Sequence, residues 1–93
     1  MIKLAEIFKA LSDKTRLDIL RKIAGKKEMS CKDLSKNFSL SQPTLSHHFN
    51  KLIDCGVLLA RKSRSAHYYS LNRKLFERMG IDVNKLLKTG ERG

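Results

Sequence analysis

Apolar residues recur at helical spacing between Ser41 and Gly56, and this stretch is the most regular in the chain. Spacings of i, i+4, i+7 and i+8 put them on one face of a helix predicted over residues 42–55. Ser41 is suited to cap this helix, Pro43 fits its first turn, and Gly56 suits the left-handed position after its end. The apolar set is Leu45, Phe49, Leu52 and Ile53. The pattern therefore predicts a helix that is buried along one side.

The opposite face of this helix is polar and carries no carboxylate. A helix with small polar groups on its outer side can read base edges in a DNA major groove, and an ordinary amphipathic surface helix is the alternative. At about 100° per residue, His47 faces outward, whereas His48 lies on the inner edge and is expected to hydrogen-bond within the domain. Gln42 lies at the N-terminal end, where its amide can pair with adenine. The predicted contact residues of this helix are Ser41, Gln42, Thr44, Ser46, His47, Asn50 and Lys51.

Three further helices are predicted before this one, over residues 2–11, 14–24 and 30–37. Ser30, followed three residues later by an aspartate, gives the third helix a start resembling a capping box. A tight link then joins the third helix to the fourth. Two helices joined by a short turn, the second with a polar outer face, predict a helix-turn-helix over about residues 30–56.

Beyond Gly56 the pattern changes to extended chain. Strands are predicted over residues 57–59 and 67–71, joined through a basic stretch with a short polar turn. A hairpin that follows a recognition helix is called a wing, here residues 57–71, and its cations are predicted to contact phosphates. A plain solvated hairpin is the alternative. The basic residues concerned are Arg61, Lys62 and Arg64.

The two ends of the chain carry more apolar surface than one small core needs. Residues 2–11 form a broad helical stripe, and residues 73–79 and 83–88 are predicted as short helices separated by Gly80. Helices this short are not stable alone, so they must dock on the domain, on a second copy, or on both. We predict a homodimer whose interface includes Leu4, Ile7, Phe8, Leu75, Phe76, Met79, Val83, Leu86 and Leu87.

The composition of the chain indicates a polyanionic partner. Its 93 residues include 20 Lys and Arg against 9 Asp and Glu, a formal charge of +11, which favours DNA or an anionic membrane surface. This length predicts one domain over residues 1–89, followed by a disordered tail at residues 90–93. No apolar run is long enough to span a bilayer and no signal-peptide pattern is present, so a cytoplasmic protein is expected.

Catalysis is not expected from this sequence. Ser46, His47 and His48 are adjacent on one helix, where neighbouring side chains diverge, and no carboxylate is placed to orient either imidazole. Two other functions remain open beside a DNA-binding regulator. One is a winged-helix module for protein–protein contact, and the other is a redox-responsive regulator that uses the thiol of Cys31 or Cys55.

Three blocks of sequence, in order, resemble the ArsR (ArsR/SmtB) family of winged helix-turn-helix repressors. They are ALSDKTRLDIL at residues 10–20, LSQPTLSHHFNKL at residues 40–52 and CGVLLARKSRSAHYYSLN at residues 55–72. The resemblance implies a mainly α fold with a small β-hairpin, as a dimeric winged helix-turn-helix domain. It also implies a repressor that binds an imperfect palindrome in double-stranded DNA and is released by an inducer.

Members of that family that sense metals or arsenicals through the first helix of the motif carry a Cys-x-Cys pair directly before Asp-Leu. In this chain Ser30 and Lys32 hold those two positions, with Cys31 between them. Other members bind zinc with Asp and His of the C-terminal helices, but no histidine follows Asn72 here, and zinc favours thiolate and imidazole ligands. We therefore expect no metal site and no cofactor, and the inducer stays unidentified.

Overall fold

Two helices begin the described part of the chain, which comprises residues 3–88 of a computed structural model. Helix α1 covers Leu4–Leu11 and α2 covers Lys14–Ala24. The Asp13 carboxylate caps α2 by accepting a hydrogen bond of 2.9 Å from the Arg16 backbone N–H, which satisfies one of the free donors in the first turn. The predicted tail at residues 90–93 lies outside the described residues.

The predicted helix-turn-helix is formed by α3, Cys31–Ser35, and α4, Gln42–Asp54. Both helices begin at a serine whose hydroxyl accepts a backbone N–H, and for α4 this residue is Ser41, as predicted. Helix α3 ends before the predicted residue 37. The N–H groups of Asn37 and Phe38 donate to carbonyls three residues back, so the chain leaves the helix through a tighter turn.

The wing is a hairpin of two strands, β2 at Leu58–Ser63 and β3 at Ala66–Leu71, and a third strand, β1 at Met29–Ser30, pairs with the other edge of β3. All pairings are antiparallel, and the sheet order is β1-β3-β2. The sequence did not predict β1, since a strand of two residues carries no periodicity. This short strand ties the start of the helix-turn-helix to the wing.

Helices α5, Arg73–Arg78, and α6, Val83–Lys88, close the fold. Asn72 joins α5 to the end of α4, because its amide donates to the Gly56 carbonyl at 2.7 Å and its side-chain oxygen caps α5. Gly56 has φ 86°, the left-handed backbone expected there. Among the described residues, none of the helices combines the length and apolar content needed to cross a membrane.

The core of the single chain takes up most of the apolar side chains of the terminal helices. Helix α6 packs against α2. At this contact the Arg21 guanidinium of α2 donates a hydrogen bond of 2.6 Å to the backbone carbonyl of Leu87 in α6. The buried members of the predicted dimer interface are Ile7, Leu75, Phe76, Val83 and Leu87. These five complete the chain's own core, so the surface left for a second copy is smaller than predicted. Leu4 and Phe8 stay 49% and 53% exposed, and Met79 and Leu86 are half-buried.

Candidate nucleic-acid interface

Three buried side chains set the rotation of α4 about its axis. Leu45, Phe49 and Leu52 are at most 1% exposed and enter the core together. The Phe49 ring packs on Tyr69 of β3 with a centroid distance of 4.9 Å. The apolar face predicted from the sequence is therefore the face that the core holds.

The side chains on the other side of α4 lie at the surface, as the predicted rotation requires. Ser41, Gln42, Thr44, His47, Asn50 and Lys51 are exposed, and Ser46 is half-buried. The Ser41 hydroxyl donates to the Thr44 hydroxyl at 2.8 Å, so these two groups are engaged with each other at the helix start. Gln42 and Asn50 make no side-chain hydrogen bond to another described residue, and their amides face solvent.

The tip of the wing adjoins the N-terminal ends of α3 and α4. Lys32, Gln42, Ser65 and His67 line one shallow pocket where the three elements meet. The wing and the polar face of α4 thus form one continuous surface. Lys32 was not predicted to lie in this surface, because residue spacing alone does not show that the start of α3 lies beside the wing.

The loop between β2 and β3 consists of Arg64 and Ser65 and carries an unusual backbone conformation. Arg64 has φ 58°, a value of the left-handed region that favours glycine in two-residue hairpin loops. Such a conformation costs about 1–3 kcal/mol and occurs preferentially at functional sites. Arg64 and Lys62 are both exposed, so the tip presents two cations to solvent.

Arg61, the third predicted cation of the wing, is not free. Its guanidinium donates to both carboxylate oxygens of Glu28, at 2.7 and 2.9 Å, and lies over the Tyr68 ring at 4.6 Å from the centroid. The hydrogen bonds from Arg61 hold the pKa of the Glu28 carboxyl below its usual range. This pairing with Glu28 was not predicted from the sequence, since the two residues are 33 positions apart.

His48 lies on the inner edge of α4, as its position on the helical wheel predicts, but without the expected hydrogen bond. Its Nδ1 is buried, has no hydrogen-bond partner among the described residues, and lies 3.8 Å from Asp13 Oδ2. Asp13 is therefore close to His48 but does not orient its ring by a hydrogen bond. The distance exceeds a hydrogen bond, and the Asp13 oxygen already caps α2, so the pair does not form a catalytic dyad.

The two cysteines lie near opposite ends of α4. Cys31 lines the same pocket as Gln42, whereas Cys55 follows the last residue of the helix and donates to the Leu52 carbonyl at 3.4 Å. The 13 residues of α4 give a length of about 20 Å, far beyond the reach of a disulfide.

Burial raises the pKa of Tyr69 to about 12, and the neighbouring Cys31 adds to the shift.

The donor groups around Cys31 do not fit a resident metal. Beside it stand Ser30 and Lys32, a weak ligand and a cation. Within residues 3–88 no three His, Cys, Asp or Glu side chains come together as a set that could hold a metal ion.

Comparison with known proteins agrees with this winged arrangement. A family model, the arsR family of bacterial regulatory proteins, matches residues 13–59. The arsenical resistance operon repressor of Staphylococcus aureus is 36% identical over 97% of this chain and 86% of its own length. The transcriptional repressor SdpR of Bacillus subtilis is 37% identical over 76% of this chain and 78% of its own length.

A solved structure shows the same fold. It is a homodimeric winged helix-turn-helix DNA-binding domain from Mycobacterium bovis, with a TM-score of 0.76 over 95% of this chain and 81% of that chain, at 23% identity. The protein is thus of the winged helix-turn-helix class. It belongs to the arsR family of bacterial regulatory proteins, and the fold class and family predicted from the sequence are confirmed.

Substitution of His48 is expected to show that this residue contributes by packing. His48→Ala should lose about 1–3 kcal/mol of unfolding free energy, because it leaves a gap between α4 and the start of α2. His48→Leu should stay within about 1 kcal/mol of the wild type, because it fills the space and removes an unpaired buried nitrogen. Urea unfolding followed by circular dichroism measures both changes.

His47→Ala is the matched control, since the side chain is exposed one position away. Its unfolding free energy should change by less than about 0.5 kcal/mol, while DNA binding weakens by about 1–3 kcal/mol. If the His47 variant unfolds early and His48→Ala folds normally, the assigned rotation of α4 is incorrect.

Substitution of Arg64 should separate backbone strain from charge at the wing tip. Arg64→Gly removes both, so its unfolding free energy should equal that of the wild type or exceed it by up to about 1 kcal/mol. Arg64→Gln keeps the strain and removes only the charge. In a dimer, both variants should flatten the slope of log K against log salt by about 2, measured by fluorescence anisotropy with a labelled duplex. A wild-type slope in both variants would exclude a phosphate contact at the tip.

Proposed function

We propose that this protein is a homodimeric, sequence-specific repressor of transcription that binds an imperfect palindrome in double-stranded DNA. In this proposal α4 enters the major groove and the tip of the wing contacts the phosphate backbone. The observation that carries the proposal is the outer face of α4, whose polar side chains lie beside the cationic tip. A protein–protein module would need an apolar or mixed outer face on this helix, so DNA is the better partner.

The side chains at the surface divide into two groups with different expected contacts. Gln42, His47 and Asn50 offer hydrogen-bonding groups of the kind that distinguish base edges in the major groove. Lys51, Lys62 and Arg64 carry the charge that phosphate contacts require, and such contacts position the protein without reading sequence. The net charge of +11 favours approach to a polyanion in the same way.

A second copy is proposed to bind at the exposed apolar positions of α1. Leu4 and Phe8 are one helical turn apart on the same face, and about half of each side chain is exposed. The solved structure from Mycobacterium bovis with the same fold is described as homodimeric, which supports this assembly. Two copies related by a two-fold axis place two α4 helices on DNA, so the target sequence is expected to be palindromic.

Selection of bound fragments from random duplex DNA, followed by sequencing, tests the function. The expected result is a palindromic motif whose half-sites lie about one helical turn apart. Phe8→Ser serves as the interface variant, because it should fold normally but sediment as a monomer and lose the palindrome. A motif without symmetry would refute the dimer, and the absence of any enriched motif would refute sequence-specific binding.

The inducer of the proposed repressor is not a metal. The staphylococcal relative is described as an arsenical resistance repressor, but this chain has Ser30 and Lys32 on either side of Cys31. A lysine beside the thiol is also electrostatically unfavourable for a cation. Control through the lone Cys31 or Cys55 thiol would not use a disulfide between them, because α4 separates the two.

Zinc, cadmium and arsenite are accordingly expected to leave DNA binding unchanged. Each would be added in stoichiometric amounts to the protein bound to its selected palindrome, with fluorescence anisotropy as the readout. As a positive control, Ser30→Cys combined with Lys32→Cys supplies a Cys-rich site and should make the complex sensitive to arsenite. Release of the unmodified protein by any of the three would show that a metal site exists.

The remaining parts of the proposal concern location and chemistry. A repressor of this kind works in the cytoplasm, where a bacterial operator lies. We also propose that it is not an enzyme: among the described residues, the Asp13 carboxylate that lies near His48 is 3.8 Å from the ring and is engaged in capping α2. Turnover of a substrate by the purified protein would contradict this part.

A further inference from the structure

One ion pair in the described part of the chain joins the wing to the loop before β1. Glu28 precedes β1, Arg61 is on β2, and Tyr68 on the intervening strand β3 is the direct partner of Arg61 in the sheet. The Arg61 side chain therefore crosses the face of Tyr68 to reach Glu28. Two hydrogen bonds, of 2.7 and 2.9 Å, engage both carboxylate oxygens.

This ion pair differs from the carboxylate pairs of Lys9, Arg21 and Lys36. Those three join residues three positions apart, within one helix or across its end, where helical geometry brings the side chains together. The Glu28–Arg61 pair links distant parts of the chain, and the fork of the guanidinium meets the carboxylate in the bidentate arrangement. The Arg61 guanidinium also stacks over the Tyr68 ring in a cation–π contact, with its Cζ 4.6 Å from the ring centroid.

The pair lies within reach of a ligand. The side chains of Arg61 and Glu28 are 55% and 33% exposed, and Arg61 is next in sequence to Lys62 and three positions before Arg64. A guanidinium binds carboxylate and phosphate through the same N–H groups. While Nε and Nη2 of Arg61 donate to Glu28, this edge of the guanidinium is not available to a DNA phosphate, and a neutralised cation releases no counterion on binding.

We propose that Glu28 is an intramolecular competitor of DNA, holding Arg61 away from the phosphate backbone and thereby setting the affinity of the wing. The proposal rests on the DNA-binding function proposed above. Arg61 then does not contact DNA while the ion pair is intact, because the Glu28 carboxylate occupies the guanidinium in place of a phosphate. The affinity of this regulator is then limited by its own acidic residue.

Glu28→Gln tests the proposal, because it keeps the side-chain shape and removes the charge that binds Arg61. With Lys51, Lys62 and Arg64 as contacts in each of two subunits, the wild type should have a slope of log K against log salt of about −5. Release of Arg61 adds one contact in each subunit, so the slope should steepen to about −7. The affinity ratio of variant to wild type should then grow about 60-fold for each ten-fold dilution of salt.

Two controls separate this effect from a general loss of negative charge. Asp54→Asn makes the same change of charge at an exposed residue of α4 that forms no ion pair with another described residue, and its slope should stay at the wild-type value. Arg61→Gln should also keep the wild-type slope, and the double variant with Glu28→Gln should match Arg61→Gln alone. Glu28→Ala repeats the test without any acceptor at the position, and unfolding curves establish that each variant is folded.

The outcomes distinguish the proposal from its competitors. A folded Glu28→Gln variant with an unchanged or flatter slope would overturn it, the flatter slope indicating that the ion pair positions the wing for binding. Flattening of the slope by about 2 in Arg61→Gln would also overturn it, because Arg61 would already contact phosphate. If the wild type itself binds DNA without salt dependence, the proposed function fails, whatever Glu28 does.

Discussion

The burial of one face of α4 is the constraint on which the rest of the surface depends. Leu45, Phe49 and Leu52 are held in the core, and since each residue turns the helix by about 100°, the opposite side chains have no freedom to turn inward. A rotation by one residue would expose the Phe49 ring and bury polar groups at a high cost. Packing of Phe49 on Tyr69 also joins α4 to the central strand, so the helix and the wing share one core.

The wing divides its roles along its length. At its base, Leu58 and Leu71 pair across the strands and are buried. In the middle, Arg61 is paired with Glu28, whereas near the tip Lys62 and Arg64 are exposed and form no ion pair with another described residue. The strained backbone of Arg64 fits this division, because a glycine there would relax the loop but would remove the outermost charge. The unpaired cations of the wing are thus concentrated near its tip.

Local signals account for what the sequence could predict. The cap, the proline and the apolar spacing of α4 lie within one stretch, and they gave the bounds of the helix and its outer face nearly correctly. Strand β1 was missed, because two residues show no alternation. The Glu28–Arg61 pair was missed for another reason: its partners are 33 positions apart, and only the sheet order brings them together. His48 was placed on the correct edge of α4, but its neighbour Asp13 comes from another helix.

In the terminal helices, hydrophobic periodicity does not predict which apolar side chains are buried within the single chain. Ile7 and Phe8 are adjacent, equally apolar, and alike as predicted interface residues, yet one is fully buried and the other is 53% exposed. An apolar stripe predicts that one face of a helix is buried. It does not show whether that face packs against the rest of the same chain or against a second copy. A small domain buries a low fraction of its surface and is only marginally stable. Most apolar side chains of the terminal helices are therefore needed for the chain's own core. On α1 the apolar surface that the core leaves outside is a narrow strip around Leu4 and Phe8, and of the other predicted interface residues only Met79 and Leu86 stay half-buried.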